Sequence, residues 1–168
     1  MHPEPKNPLL WGILPLQKHI LFPVIHMNNS QEVLTSLLKA AQLSQTGIRS
    51  VLDQAMAPEL SGILKHQLRE LNGIESEARA LASQRGWELE ELDPAVRMMA
   101  DMMTRIKLPR RNVDSGIADM MIQGNTKGMI KSIQNLHRFN DSDAAVRTIS
   151  QKLLDCETAN IRQMQEYL

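Results

Sequence analysis

The sequence has a single cysteine and no excess charge, and each of these shortages excludes a class of protein. The single Cys156 excludes an internal disulfide, and the N-terminus lacks the pattern of a cleavable signal peptide, so we expect a cytoplasmic protein. Nineteen basic residues balance nineteen acidic ones, which leaves no overall charge to attract nucleic acid or an anionic membrane. We therefore expect neither a nucleic-acid nor a membrane partner.

The first 26 residues differ in composition from the rest of the chain. They hold five of the eight prolines and an apolar run, 9–25, which is too short and too interrupted to span a bilayer. One interpretation is a segment that docks on the folded domain or on a partner. The other is a disordered tail, or sequence upstream of a true start at Met27. Either interpretation divides the chain into an N-terminal extension, 1–26, and a folded domain, 27–168.

Four long amphipathic segments follow this extension, and they predict an all-α fold. Their apolar residues recur at steps of three and four, which places them on one face of a helix. We expect helices at 30–56, 58–85 and 113–139, and a fourth helix after the polar turn 140–143. The first two and the last two are joined tightly, so the pattern predicts a four-helix bundle built from two αα-hairpins.

The connection between the two hairpins, 86–112, is long enough to hold a short helix of its own. An up-down-up-down bundle needs only a short loop here, so this connection indicates a crossover along the bundle. The short helix carries two methionine rows, Met98 with Met102 and Met99 with Met103. Only one row can face its own bundle, so we expect the other row to join two copies in a homodimer.

Two glycines, Gly124 and Gly128, lie in the middle of the helix expected at 113–139. Each glycine costs about 1 kcal/mol of helix propensity relative to alanine, so we expect another backbone to pass close to them. The apolar seam predicted for this helix consists of Ile117, Ile122, Met129, Ile133 and Leu136.

One neutral polar residue interrupts each of the four seams: Gln45, Gln67, Thr126 and Asn160. Gln45 and Gln67 lie at similar distances before and after the first turn, and a crossover brings Thr126 and Asn160 within about one helical turn of that level. A buried amide without a hydrogen bond costs about 1–3 kcal/mol, so we expect these side chains to bond to one another or to water. The pattern predicts a buried polar layer across the middle of the bundle.

The layout resembles the ferritin-like superfamily, and most of all a bacterial branch with a degenerate di-metal site. In that superfamily a glutamate from each of two helices and an E-x-x-H motif from each of the other two hold the metals. Here 157–160 reads E-T-A-N, with asparagine in place of the histidine, and 70–73 reads E-L-N-G. The resemblance covers 30–168 as architecture rather than as a motif, and it implies a ferritin-like bundle with a long crossover.

Neutral amides at these positions cannot balance the charge of two divalent ions. We therefore expect a non-catalytic structural or interaction module without bound metal, with a second copy or another protein as its partner. The alternative is an oxidoreductase or metal store that binds iron or manganese through an irregular ligand set of Glu70, Glu157, His66 and His137. Each of the two histidines lies beside an apolar seam, where a boundary position is the commoner explanation.

Overall fold

A computed structural model describes residues 29–107, 111–138 and 143–168, and it confirms the all-α class. The predicted extension, 1–26, lies outside these residues. None of the helices in the described part of the chain is long and apolar enough to cross a membrane. The helices are α1 (Asn29–Val51), α2 (Pro58–Arg85), α3 (Pro94–Lys107), α4 (Val113–Arg138) and α5 (Ala144–Met164), followed by a 3-10 turn at Gln165–Tyr167.

The first hairpin turns at Pro58 as predicted, but α1 ends at Val51, five residues before its predicted end. Ala57 is extended, with φ −77° and ψ 126°, because the ring of a following proline disfavours helical geometry. The amides of Met56 and Ala57 donate to the carboxylate of Asp114 on α4, at 2.7 and 2.9 Å. The chain makes one more turn at 52–54, and the end of the connection then binds α4 instead of continuing the helix.

Hydrogen bonds between helix ends fix the direction of each helix. Asn135, near the end of α4, donates to Ser36, near the start of α1, at 2.9 Å. Asp114, at the start of α4, lies beside the end of α1, so these two helices are antiparallel. The amide of Asp143, which caps α5, donates to Ser30 on α1 at 2.8 Å, so α5 starts where α1 starts. Since α1 is antiparallel to both α2 and α4, the chain between α2 and α4 travels the length of the molecule.

The core lies between α1, α2, α4 and α5. Helix α1 contacts α2 and α4, helix α5 contacts the same two, and α3 packs on the outside of α1. The predicted seams of α1, α2 and α5 supply most of the interior, and full burial of one such side chain contributes about 1.5–3 kcal/mol. Fully buried residues of these seams include Leu34, Leu38, Ile48, Leu60, Leu64, Leu71, Leu153 and Met164.

The seam predicted for α4 is confirmed at Ile117, which is fully buried, and in part at Ile122, which is half-buried and packs against the core. It is wrong toward the end of the helix, where Ile133 is 37% exposed and Met129 and Leu136 are only half-buried. The face of α4 that turns inward carries Ile117, Ala118, Met121, Asn125, Ser132 and Asn135. This face is mostly small or polar because the side chain opposite it on α5 is Glu157, which is fully buried. A carboxyl group packs against small and polar side chains at a lower cost than against isoleucine.

Candidate functional site

Three of the four residues predicted to form a polar layer are buried. These are Gln45, Gln67 and Asn160, whereas Thr126 is half-buried. Among the described contacts, no hydrogen bond joins any two of the four, because each amide meets a partner on a different neighbouring helix. The expected layer is in fact three separate polar contacts, between α1 and α2, between α2 and α5, and between α4 and α5.

Gln45 belongs to a polar network that connects α1 with α2 and with the segment that follows α2. Its amide donates to Glu75 on α2 at 2.7 Å, and Arg79 contacts both Glu75 and Glu91, at 2.7 and 2.6 Å. Gln42 also donates to Glu91. The guanidinium of Arg79 and the amide of Gln42 lower the pKa of Glu91 to about 2. At neutral pH this network therefore consists of fixed charges and amides, and it positions the chain after α2.

The other two amides bond within the bundle. Gln67 donates to Gln163 at 2.8 Å, and Asn160 donates to Asn125 at 3.4 Å and to the sulfur of Cys156 at 3.7 Å. The side-chain oxygens of Gln67 and Asn160 are buried without a hydrogen-bond partner. Burial, together with the charge of a nearby glutamate, raises the pKa of the Cys156 thiol to about 12. The thiol stays protonated at neutral pH, so it is not a nucleophile.

Glu157 is the acidic residue that the bundle encloses. Its Oε2 accepts a hydrogen bond from the hydroxyl of Ser132 at 3.1 Å, while its Oε1 is buried without a partner. Removal from water disfavours the charged carboxylate, so burial raises the pKa of Glu157 to about 7. Near neutral pH the bundle therefore holds a carboxyl group that is partly protonated.

The expectation that another backbone passes close to Gly124 and Gly128 is wrong. A Cβ atom at Gly128 would collide with Oε1 of Glu157, so this glycine makes room for a buried side chain. A Cβ atom at Gly124 would meet nothing within 4 Å. Gly124 instead borders an open cleft, in which the missing side chain leaves space.

The ligands of the alternative metal site do not converge. His66 and Glu70 contact each other at 3.6 Å on the exposed face of α2, and His137 is exposed near the end of α4. Glu157 is enclosed between α4 and α5. Among the residues that the structure describes, no group of three histidine, cysteine or acidic side chains could hold a metal ion. These donors therefore do not fit a di-metal centre.

The open cleft lies between α1, α3 and α4 and has a volume of about 580 Å³. Its walls are mostly apolar, and three lysines but no acidic residue line it among the described residues. The apolar lining consists of Ala40, Leu43, Leu92, Ala100, Met103, Met120 and Met121. The three walls of this cleft are far apart in the chain, so local sequence patterns do not predict it.

Helix α3 contacts the rest of the protein through its small and polar side. Ala100, Asp101 and Thr104 are half-buried, and the hydroxyl of Ser50 on α1 donates to Asp101. Both methionine rows are exposed, so the expectation that one row packs into the bundle is wrong. The exposed apolar side chains of α3 are Val96, Met98, Met99, Met102 and Met103, of which only Met103 borders the cleft.

Comparisons of the chain with protein-family models, with curated proteins and with solved structures find no match. Three features of the described residues bear on function. They are the exposed methionine row of Met98 and Met102, the cleft of α1, α3 and α4, and the buried carboxyl of Glu157.

Proposed function

We propose that the protein is a non-catalytic interaction module, a ferritin-like four-helix bundle without a resident metal, and that it forms a homodimer through α3. The observation that carries this proposal is the row of Met98 and Met102, which are 70% and 55% exposed and border neither the core nor the cleft. Large apolar side chains grouped on one exposed helix face are typical of interaction surfaces.

The directions of the helices support the ferritin-like arrangement. Helices α1 and α2 form one hairpin, α4 and α5 form the other, and α2 runs parallel to α4. The chain therefore returns along the outside of α1 before the second hairpin begins, and α3 lies within that return. A single long crossover between two hairpins is the connectivity of ferritin-like bundles.

The chemistry of the enclosed groups supports a non-catalytic role. Glu157 is shielded on all sides and contacts one hydroxyl, and the thiol of Cys156 stays protonated. Glu91, which is exposed, is held as a carboxylate by Arg79. A general acid or base must reach a bound substrate, and neither Glu157 nor Cys156 reaches the surface.

A second copy fits the exposed face of α3 for two reasons. A two-fold contact places the same patch on both sides, so one apolar row is sufficient to form a complementary pair. Methionine is unbranched and flexible, so two such rows can interdigitate without a preformed pocket. The chain also carries no net charge that would keep two copies apart.

Sedimentation velocity at micromolar concentration tests the homodimer. The double substitution Met98→Glu and Met102→Glu should yield a folded monomer, because four acidic side chains would then face each other across the two-fold axis. The matched control, Ile130→Glu with Ile133→Glu, changes two exposed residues of α4 and should remain dimeric. A wild-type protein that sediments as a monomer would refute the proposal, and so would equal dissociation of both double variants.

A further inference from the structure

The cleft between α1, α3 and α4 has a charged end and an apolar end. The hydrogen bond between Ser36 and Asn135 marks the end at which α1 starts and α4 finishes. Lys39 and Lys131 line the cleft close to this end, within about one helical turn of that bond. Met120, four turns before Asn135 on α4, lies toward the other end, where Met103 of α3 completes the apolar wall.

The three lysines that line the cleft differ in whether they form an ion pair. Lys39 is paired with Glu90 at 2.6 Å. Lys127 and Lys131 follow each other at one-turn spacing on α4, are exposed, and have no carboxylate partner among the described residues. Since no acidic side chain among the described residues lines the cleft, the ammonium groups of Lys127 and Lys131 can meet an anionic ligand.

The whole cleft has the volume of a small-molecule site. Its volume of about 580 Å³ falls within the roughly 300–1,000 Å³ that is usual for ligand pockets. Gly47 on α1 and Gly124 on α4 both line the cleft. A Cβ atom at either position would meet nothing within 4 Å, so both positions have room for a larger side chain.

We infer that this cleft binds an anionic amphiphile, a long-chain carboxylate whose tail lies along the apolar wall and whose head group meets Lys127 and Lys131. The flexible tail suits a cleft lined by methionine, because methionine adapts to irregular shapes. The carboxylate supplies the charge that the lining lacks. Met98 and Met102 lie outside the cleft, so this site is separate from the proposed dimer contact.

Filling the cleft tests where the ligand binds. Calorimetric titration with dodecanoate, below its micelle concentration, should give saturable binding to the full-length protein. The substitution Gly124→Leu should weaken this binding at least tenfold, because the new side chain occupies the apolar space. A second filled variant, Gly47→Leu, should act in the same way from α1. The matched control Gly73→Leu, on the exposed face of α2, should bind as the wild type does, because a Cβ atom there also meets nothing within 4 Å.

Reversing the charge tests how the head group is recognised. The double substitution Lys127→Glu and Lys131→Glu should weaken dodecanoate binding about tenfold and strengthen the binding of dodecylamine. The control Lys65→Glu changes an exposed lysine on α2 and should alter neither. The inference is overturned if wild-type protein binds dodecanoate no better than dodecanol. It is also overturned if both filled variants fold, as circular dichroism reports, and retain wild-type affinity.

Discussion

Replacing Glu157 by glutamine should stabilise the protein at alkaline pH and leave its stability almost unchanged at acidic pH. The substitution keeps the shape of the side chain and an oxygen that accepts from Ser132. It removes the ionisable group that burial holds at a pKa of about 7, above its ordinary value of 4.5. The loss of solvation opposes ionisation of the buried carboxyl, and the hydrogen bond from Ser132 offsets it only in part. Among the described residues, no cation contacts this carboxyl to stabilise its charge.

The magnitude follows from the difference between the two pKa values. A raised carboxyl pKa means that the folded protein binds more protons than the unfolded chain between pH 4.5 and pH 7. The wild type is therefore most stable, with respect to this group, below pH 4.5, and it loses stability as the pH rises through 7. Raising the pKa from 4.5 to about 7, at about 1.36 kcal/mol for each tenfold change in the ionisation constant, corresponds to roughly 3 kcal/mol at pH 8.

Urea unfolding followed by circular dichroism at pH 5 and pH 8 measures this effect. Wild type should lose most of the roughly 3 kcal/mol between the two conditions, whereas Glu157→Gln should not. The matched control Glu88→Gln changes an exposed glutamate and should follow the wild type at both pH values. If Glu157→Gln is less stable than wild type at pH 8, the carboxyl is ionised and satisfied, and the reasoning fails.

Two further pairs of substitutions test the interior. Gly124→Ala should stabilise the protein by up to about 1 kcal/mol, because alanine has the higher helix propensity. Gly128→Ala should destabilise it by about 1–3 kcal/mol, because the new Cβ atom collides with Glu157. Equal melting temperatures of the two variants would contradict this reasoning. Gln45→Leu should cost about 1–3 kcal/mol because Oε2 of Glu75 loses the hydrogen bond from Gln45, and Gln67→Leu should cost less because the oxygen of Gln67 is already unpaired. The losses in the free energy of unfolding caused by these two substitutions should add within about 0.5 kcal/mol in urea unfolding, because Gln45 and Gln67 share no partner. A larger coupling energy would favour the single polar layer instead.

Local sequence chemistry predicted the ends of several helices well. Pro58 begins α2, and Gly86, with φ at 66°, ends it in the left-handed conformation that glycine tolerates best. Asp143 caps α5 by accepting from the amide of Ala145 at 2.8 Å. Each of these positions is decided by one or two adjacent residues, so the sequence alone contains the information.

The buried polar chemistry could be predicted only in part. Glu157 lies four residues after Leu153 and three before Asn160, which is a seam position by spacing alone. Acidic side chains are rarely fully buried without a partner, so the spacing did not justify burial. Two residues of α4 accommodate the buried carboxyl: Gly128 leaves space for it, and Ser132 donates a hydrogen bond to it. Nothing in the local pattern of α5 indicates these contacts.

The attachment of α3 has a consequence for the mobility of the cleft wall. Near its start, the amide of Leu92 donates to Gln42 at 2.8 Å, and farther along, Ser50 donates to Asp101. Together with the buried side chain of Leu92, these polar contacts contribute to the free energy required to move α3 away from α1, and they lie outside the interior of the bundle. The wall can therefore open locally while the four long helices stay folded. Affinity for a ligand in the cleft and global resistance to unfolding are thus two properties that substitutions in α3 can change independently.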